Sequence, residues 1–326
     1  MTQALSRLPG SKMGLGPAAR LAAEIHAGVS AAFLGKSEAV ELCIVTLLAG
    51  GHLMIEDFPG VGKTLVAKSL ARCIDCRFSR IQFTPDLLPS DITGVNVFNQ
   101  RTGEFDFRPG PIFANVVLAD EINRASPKTQ SSLLECMQER QVTVENVTYP
   151  LERPFMVVAT QNPIEYEGTY ELPEAQLDRF MMRLGLGYPA PEEELRLLAQ
   201  SGAEDLVEKV PVVVGVQQLL DMMDCAASVR MVGAVGEYLL RVVGATRSHT
   251  DLYLGASPRA GLALAAAARA LALIRGREYV IPQDVKHLAV SVLAHRLILS
   301  PEARMHGRSA TDIVSAILRA VPVPTL

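Results

Sequence analysis

Gly60-Val61-Gly62-Lys63-Thr64, with Pro59 before it and Leu65 after it, is a run whose residue types can hold phosphate. Glycines let successive backbone N–H groups curl around phosphate oxygens, and a helix N-terminus behind them adds partial positive charge. Lys63 is placed to neutralise β- and γ-phosphates, and the Thr64 hydroxyl to ligate Mg2+. The spacing G-x-x-x-x-G-K-[ST] would put its first glycine where this chain has Asp57. A carboxylate there must point away from the phosphates or weaken them. A second run, Val116-Val117-Leu118-Ala119-Asp120-Glu121, is apolar and ends in paired acids. Asp120 can hold Mg2+ through water, and Glu121 can orient and deprotonate an attacking water; a solvated acidic turn is the plain alternative. A third, Ala159-Thr160-Gln161-Asn162-Pro163, offers an amide at Asn162 that can position the lytic water or touch the γ-phosphate. An Asx-turn before Pro163 is the commoner explanation of such an asparagine, and only co-occurrence with the first two runs promotes Asn162.

These groups need a scaffold that delivers them to one edge. His52 to Glu56 is short, apolar and bounded by Gly51 and Pro59, which suits a buried parallel strand. Lys63 to Cys73 reads as the helix after it. Ala114 to Ala119 and Pro154 to Thr160 read as further buried strands. Between them lies a helix, Lys128 to Glu139, with Leu133, Leu134 and Met137 on one face. Arg20 to Phe33 and Ser37 to Leu48 look like amphipathic helices. Strands alternating with helices predict an α/β fold with a parallel sheet flanked by helices. Two period-two hairpins interrupt the alternation, Val95–Asn99 with Glu104–Arg108 and Gln141–Glu145 with Val147–Leu151.

Pro189-Ala190-Pro191 is the expected domain boundary, because paired prolines block helix and sheet alike. The division is therefore a flexible leader at 1–17, an α/β core at 18–189 and a small all-helical domain at 190–326. Its helices are expected near Glu192–Gln200, Val216–Ala227, Gly233–Arg247, Arg259–Ile274, Pro282–Leu299 and Thr311–Ala320.

Composition narrows the function classes. Lys and Arg number 31 against 35 Asp and Glu, so the net charge of −4 gives no general attraction to nucleic acid or anionic membrane. Hydrophobic residues at 49% exclude a disordered chain. The longest charge-free apolar stretch, Leu42 to Ile55, is short of the roughly 20 residues a membrane span requires. The five cysteines lack regular spacing, which suggests reduced thiols and a cytoplasmic setting. The lone Cys73-Ile-Asp-Cys76 pair lacks the partner pair a zinc site would need. His287 and His295 lack a third ligand.

Glu56–Thr64, Arg80–Gly94, Glu104–Phe113, Leu118–Thr129, Ala159–Phe180 and Gly255–Ala260 together resemble the MoxR family of AAA+ ATPases, over nearly the whole chain after about residue 20. The family pattern also accepts an Asp at the Asp57 position. The resemblance implies an ATP- and Mg2+-dependent ATPase with a helical lid. It implies that Asn162 is a first sensor, Arg179 an arginine finger reaching a neighbouring subunit's nucleotide, and Arg259 a second sensor at the γ-phosphate. Phosphate-loop residues 59–65 would bind ATP. The two hairpins match inserts that tend to face a ring pore. The implied partners are copies of the chain itself, as a ring and expected hexamer. The implied client is a protein with a von Willebrand factor A domain, matured or metal-loaded by a chaperone-like step. From the residues alone, a structural pair of Arg179 with Asp178 or Glu174 is the favoured reading, and Arg259 is a solvated helix-start arginine whose opposition to the helix dipole hints at a bound anion. Arg124 could help across an interface or form a surface salt bridge. A nucleic-acid motor of the same superfamily and a slow nucleotide switch are the competing readings; the acidic balance speaks against the first.

Overall fold

The computed structural model describes residues 13–33, 35–58, 60–163, 168–188, 190–200 and 207–324. The strands, in chain order, are β1 (Leu53–Glu56), β2 (Phe78–Gln82), β3 (Gly94–Asn99), β4 (Glu104–Pro109), β5 (Val116–Asp120), β6 (Gln141–Val144), β7 (Val147–Pro150), β8 (Met156–Gln161), β9 (Met182–Leu184), β10 (Leu252–Leu254) and β11 (Ile298–Leu299). The helices are α1 (Leu15–Ala32), α2 (Ser37–Leu48), α3 (Lys63–Cys73), α4 (Pro89–Thr93), α5 (Pro127–Glu139), α6 (Glu174–Leu177), α7 (Pro191–Gln200), α8 (Val216–Ser228), α9 (Gly233–Arg247), α10 (Pro258–Ile274), α11 (Pro282–Leu293), α12 (Pro301–Met305) and α13 (Ala310–Ala320).

Five strands form one parallel sheet in the order β2-β5-β8-β1-β9. All five residues of β5 are buried, as the unbroken apolar run predicts for a strand covered on both faces. Packed against the sheet are Phe83, Ile92, Ile112, Leu133, Leu134, Met137 and Phe180. Each such side chain contributes roughly 1.5–3 kcal/mol by leaving water. Neighbouring strands β1 and β8 exit in opposite directions, one towards β2 and the other towards β9. That divergence opens the crevice where open α/β sheets hold ligands, outside the carboxyl ends of the strands.

The two hairpins form as expected, β3 with β4 and β6 with β7. They are joined to each other: the Phe107 and Tyr149 rings stack at 4.0 Å, and Asn96 donates to Glu145. Helix starts follow the sequence closely. Ser126, Ser257 and Ser300 each precede a proline and cap α5, α10 and α12, accepting the N–H of Thr129, Ala260 and Ala303.

The chain divides into two compact units. One gathers Ile25–Cys43 and Gly50–Gly215, the other Met1–Glu24, Ile44–Ala49 and Val216–Leu326. The division thus falls after Gly215, not at the prolines near 190. Residues 208–214 stay with the sheet unit because Arg72 on α3 donates to the Val210 and Glu208 carbonyls, and the Val213 and Val214 N–H groups donate to the Cys73 carbonyl. Pro189, at the expected boundary, and residues 1–12 of the expected leader lie outside the described residues. Helix α1 begins at Leu15, inside the stretch expected as leader; Pro17 is tolerated there because first-turn N–H groups have no intrahelical acceptor.

The second unit is mainly helical; among its described residues β10 pairs antiparallel with β11, and Arg230 forms an isolated parallel bridge with Tyr279. The expected helix Pro282–Leu299 therefore ends at Leu293, followed by a 3-10 turn (Ala294–Arg296) before β11. Strands β2 and β9 carry no apolar run long enough to announce them: Ser79 and Arg80 interrupt the first, and the second has three residues. Among the described residues no helix is long and apolar enough to cross a membrane.

Candidate functional site

The phosphate-binding candidate sits between β1 and α3. Gly60 and Gly62 have φ of 83° and 92°, left-handed values that glycine adopts without a Cβ penalty. At Gly62 there is a second constraint, since a Cβ would come within 2.7 Å of the Phe33 ring. Pro59 lies outside the described residues. Val61, Lys63, Thr64 and Leu65 are half-buried, with Lys63 and Thr64 opening α3. The Lys63 ammonium donates to the Asp57 carbonyl at 2.6 Å, which arches the loop under its own lysine.

Asp57 stands where the usual spacing has glycine, and its carboxylate turns away from the loop's mouth. It is 5% exposed, and one oxygen accepts the backbone N–H groups of Leu186 and Gly187, just beyond β9. Its other oxygen accepts the N–H of Phe58 at 2.8 Å. Two further contacts fasten the same segment: Phe58 stacks on Tyr188 at 5.6 Å, and Lys36 donates to the Tyr188 carbonyl. Charge-assisted bonds of this kind are roughly twice as strong as neutral ones. The first of the two options open for Asp57 is the one realised.

The acid pair ends β5. Asp120 is 8% exposed and accepts the Thr160 hydroxyl at 2.6 Å on one oxygen. Its other oxygen accepts Arg80, with Nε at 3.1 Å and a second guanidinium nitrogen at 2.5 Å. Glu121 adopts φ 58° and ψ 50°. Left-handed backbone is uncommon for a non-glycine residue and is tolerated where neighbours over-determine it. Here the Glu121 N–H donates to Thr160 Oγ1 at 2.9 Å, Gln82 donates to its carboxylate at 2.8 Å, and Arg124 pairs with it at 3.2 Å. Arg124 thus forms the salt bridge with Glu121 within its own chain. The turn that follows is pinned by buried Gln130, whose amide reaches the carbonyls of Ile122, Ala125 and Tyr170.

Asn162 follows β8 and is 3% exposed. In the sheet register Glu56 stands beside Gln161, and Ala119 beside Ala159. The phosphate loop, the acid pair and Asn162 therefore leave from three adjacent strand ends. Arg179 lies in the turn between α6 and β9, with Phe180 fully buried behind it. Arg183, nearby on β9, pairs with Glu56 at 2.9 Å. Arg259 is exposed in the first turn of α10, in the second unit. Its loop is braced from α9: Arg247 donates to the Ala256 carbonyl, and the Ala256 N–H to Thr246.

Sequence reasoning missed Arg80, Gln82 and the double role of Thr160. Arg80 and Gln82 lie two residues apart on one strand, so both side chains reach the same face. That spacing was visible, but β2 was not. Burial pushes the thiols of Cys43 and Cys136 up to about 12 and those of Cys73 and Cys76 up to about 11, far from thiolate chemistry. Among the described residues no group of three or more His, Cys, Asp or Glu could hold a metal.

Comparison with known proteins places this geometry. Residues 52–182 match the ATPase family associated with various cellular activities (AAA), and residues 244–317 match the AAA lid domain. The uncharacterized protein YeaC of Bacillus subtilis is 49% identical over 296 residues, covering 91% of this chain and 92% of its own. The chaperone MoxR1 of Mycobacterium tuberculosis is 45% identical over 334 residues, covering 98% and 88%. A crystal structure of a Cytophaga hutchinsonii chain assigned as an ATPase superposes with a TM-score of 0.89 at 40% identity, over 95% of this chain and 97% of that one.

Proposed function

This chain belongs to the MoxR family of AAA+ ATPases, and on that premise we propose that it hydrolyses ATP at the interfaces of a ring, as a chaperone that remodels a client protein. The observation that carries the proposal is the convergence of Lys63, Asp120, Glu121 and Asn162 at the ends of three adjacent parallel strands. In this reading residues 59–65 hold the triphosphate, with backbone N–H groups and Lys63 on its oxygens. Thr64 and Asp120 are hard oxygen donors of the kind Mg2+ takes. The ion would neutralise charge on the β- and γ-oxygens.

Glu121 takes the proton of the attacking water, and Asn162 orients that water against the γ-phosphate. The strained backbone at Glu121 supports the assignment, because strain of this kind gathers at functional positions. Arg179 acts on a neighbouring protomer's nucleotide. What supports this is its place in the turn before β9, which the buried Phe180 anchors. Finger arginines of this kind raise rates by about 10³–10⁵. Arg259 contacts the γ-phosphate from the lid. The assembly is a hexamer in the cytoplasm, and its client carries a von Willebrand factor A domain.

The test is complementation in trans. Arg179→Ala and Glu121→Gln chains should each bind ATP and each hydrolyse it slowly. Mixed, they should regain a measurable share of wild-type turnover, because some interfaces then combine an intact Glu121 with an intact Arg179. Mixtures no faster than either parent would refute the shared site. Capture of a bound protein by the Glu121→Gln chain in its native cell identifies the client.

A further inference from the structure

Both acids at the end of β5 are held from one neighbouring strand, and the two grips are linked. Gln82 lies beside Asp120 in the parallel register, with Arg80 two residues earlier on the same face. Arg80 places two guanidinium donors on a single Asp120 oxygen, Oδ2, and donates at 2.8 Å to the Gln82 side-chain carbonyl. The Gln82 amide continues the chain to Glu121. The opposite oxygen of Asp120 belongs to buried Thr160. The exposures are unequal: the Asp120 side chain is 11% accessible and that of Arg80 48%. A nearly buried carboxylate is thus neutralised by an arginine that can swing into solvent.

We propose that Arg80 is a built-in counter-cation that competes with the divalent ion for Asp120 and so sets how much Mg2+ the protein needs to hold its nucleotide. This rests on the reading of Asp120 as the metal-side carboxylate. The Oδ2 oxygen is the one not committed to the core, and the guanidinium must give way, wholly or in part, for a hydrated cation to reach it. Burial makes an unpaired Asp120 costly, so the carboxylate is neutralised by one cation or the other. Because the arginine is half exposed, its hold is modest and the exchange is reversible under ordinary ionic conditions.

Equilibrium binding of a fluorescent, slowly hydrolysed ATP analogue to the full-length chain, titrated with Mg2+ against a chelator, reads the competition without turnover. Arg80→Gln removes the competing charge and should lower the half-saturating Mg2+ about three- to fivefold, within the range of a partly exposed ion pair. Nucleotide affinity at saturating Mg2+ should stay unchanged. Arg80→Lys, which keeps a cation but not the two-donor grip, should fall between the two. An unaltered or raised Mg2+ requirement in Arg80→Gln overturns the proposal, as does weaker binding at saturating Mg2+, which would make Arg80 a phosphate ligand. If wild-type chain fails to bind the analogue at any Mg2+ concentration, the nucleotide reading falls as well. Thermal unfolding in chelator confirms that both variants are folded.

Discussion

Thr160 and Asp120 meet at 2.6 Å, hydroxyl to carboxylate, between the ends of two adjacent strands, and the same hydroxyl accepts the N–H of Glu121. One fully buried side chain thus fixes the Asp120 rotamer and the left-handed backbone that aims Glu121. Thr160→Val keeps the shape and removes the hydroxyl, leaving a buried N–H and one carboxylate oxygen short of a partner. That costs about 1–3 kcal/mol. We expect a lower melting temperature together with a ten- to hundredfold fall in kcat (about 1.4 kcal/mol per tenfold) and little change in nucleotide affinity. Steady-state turnover beside equilibrium nucleotide binding checks this; an unchanged kcat would remove Thr160 from the positioning of Glu121.

Asp57 makes the opposite prediction from the one its motif suggests. Restoring the usual glycine, Asp57→Gly, would improve the match to the phosphate-loop spacing. Yet it strips the acceptor from the Leu186 and Gly187 N–H groups and frees the start of the loop. The expected loss is about 3–5 kcal/mol of stability, from three orphaned donors, the Phe58 N–H among them, and the added chain entropy of glycine. Nucleotide affinity should fall along with it. Asp57→Asn, which retains one acceptor oxygen, should be milder on both counts. Tighter nucleotide binding by Asp57→Gly, with an unchanged melting temperature, would show that the carboxylate hinders the phosphates after all.

What could be read from the sequence and what could not have a physical division. Helices α2, α3 and α9 were legible to the residue, and β1, β5 and β8 to within two, because each is a continuous apolar or amphipathic run with glycine or proline at its edge. The phosphate loop, Asp120, Glu121 and Asn162 were legible because each follows such a run. Strands β2 and β9 were not, since Arg80 and Arg183 sit inside them and only the sheet explains their burial pattern. With β2 went Arg80 and Gln82, whose roles depend on a neighbour forty residues away in sequence. The true end of the sheet unit was hidden for a related reason: backbone bonds from residues 208–214 to α3 leave no mark on composition.

In the second unit, Arg277 and Asp284 form a two-pronged, largely buried ion pair. Asp284 is fully buried, takes two guanidinium nitrogens at 2.8 and 2.6 Å, and also accepts the Ile281 N–H at the start of α11. The bond to Asp284 pushes the Arg277 guanidinium further above its ordinary range. This arginine is therefore fixed in structure. Asp284→Ala removes the helix cap and strands a partly buried cation, for a loss of about 3 kcal/mol. Chemical denaturation should show it, and unfolding at wild-type denaturant concentration would contradict it.

His52 gives the fold an acid-side limit. It is 6% exposed at the start of β1, where Nδ1 accepts the Val157 N–H at 3.0 Å and Nε2 donates to the Met137 carbonyl at 3.1 Å. Both ring nitrogens are matched to the neutral form, and protonating Nδ1 would set two donors against each other. Burial, aided by the charge of Arg140 and only partly opposed by the Met137 bond, lowers the imidazole from its ordinary 6.5 to about 4. The unfolded chain therefore takes up a proton at a higher pH than the folded one. The His52 contribution to stability is complete above pH 6.5, declines as the pH falls, and levels off below about 4. The full span is on the order of a few kcal/mol. His52→Gln can imitate both hydrogen bonds without titrating. Denaturant midpoints measured from pH 7 to pH 4.5 should fall more steeply for the wild type than for His52→Gln, and parallel curves would assign the acid sensitivity to the carboxylates instead.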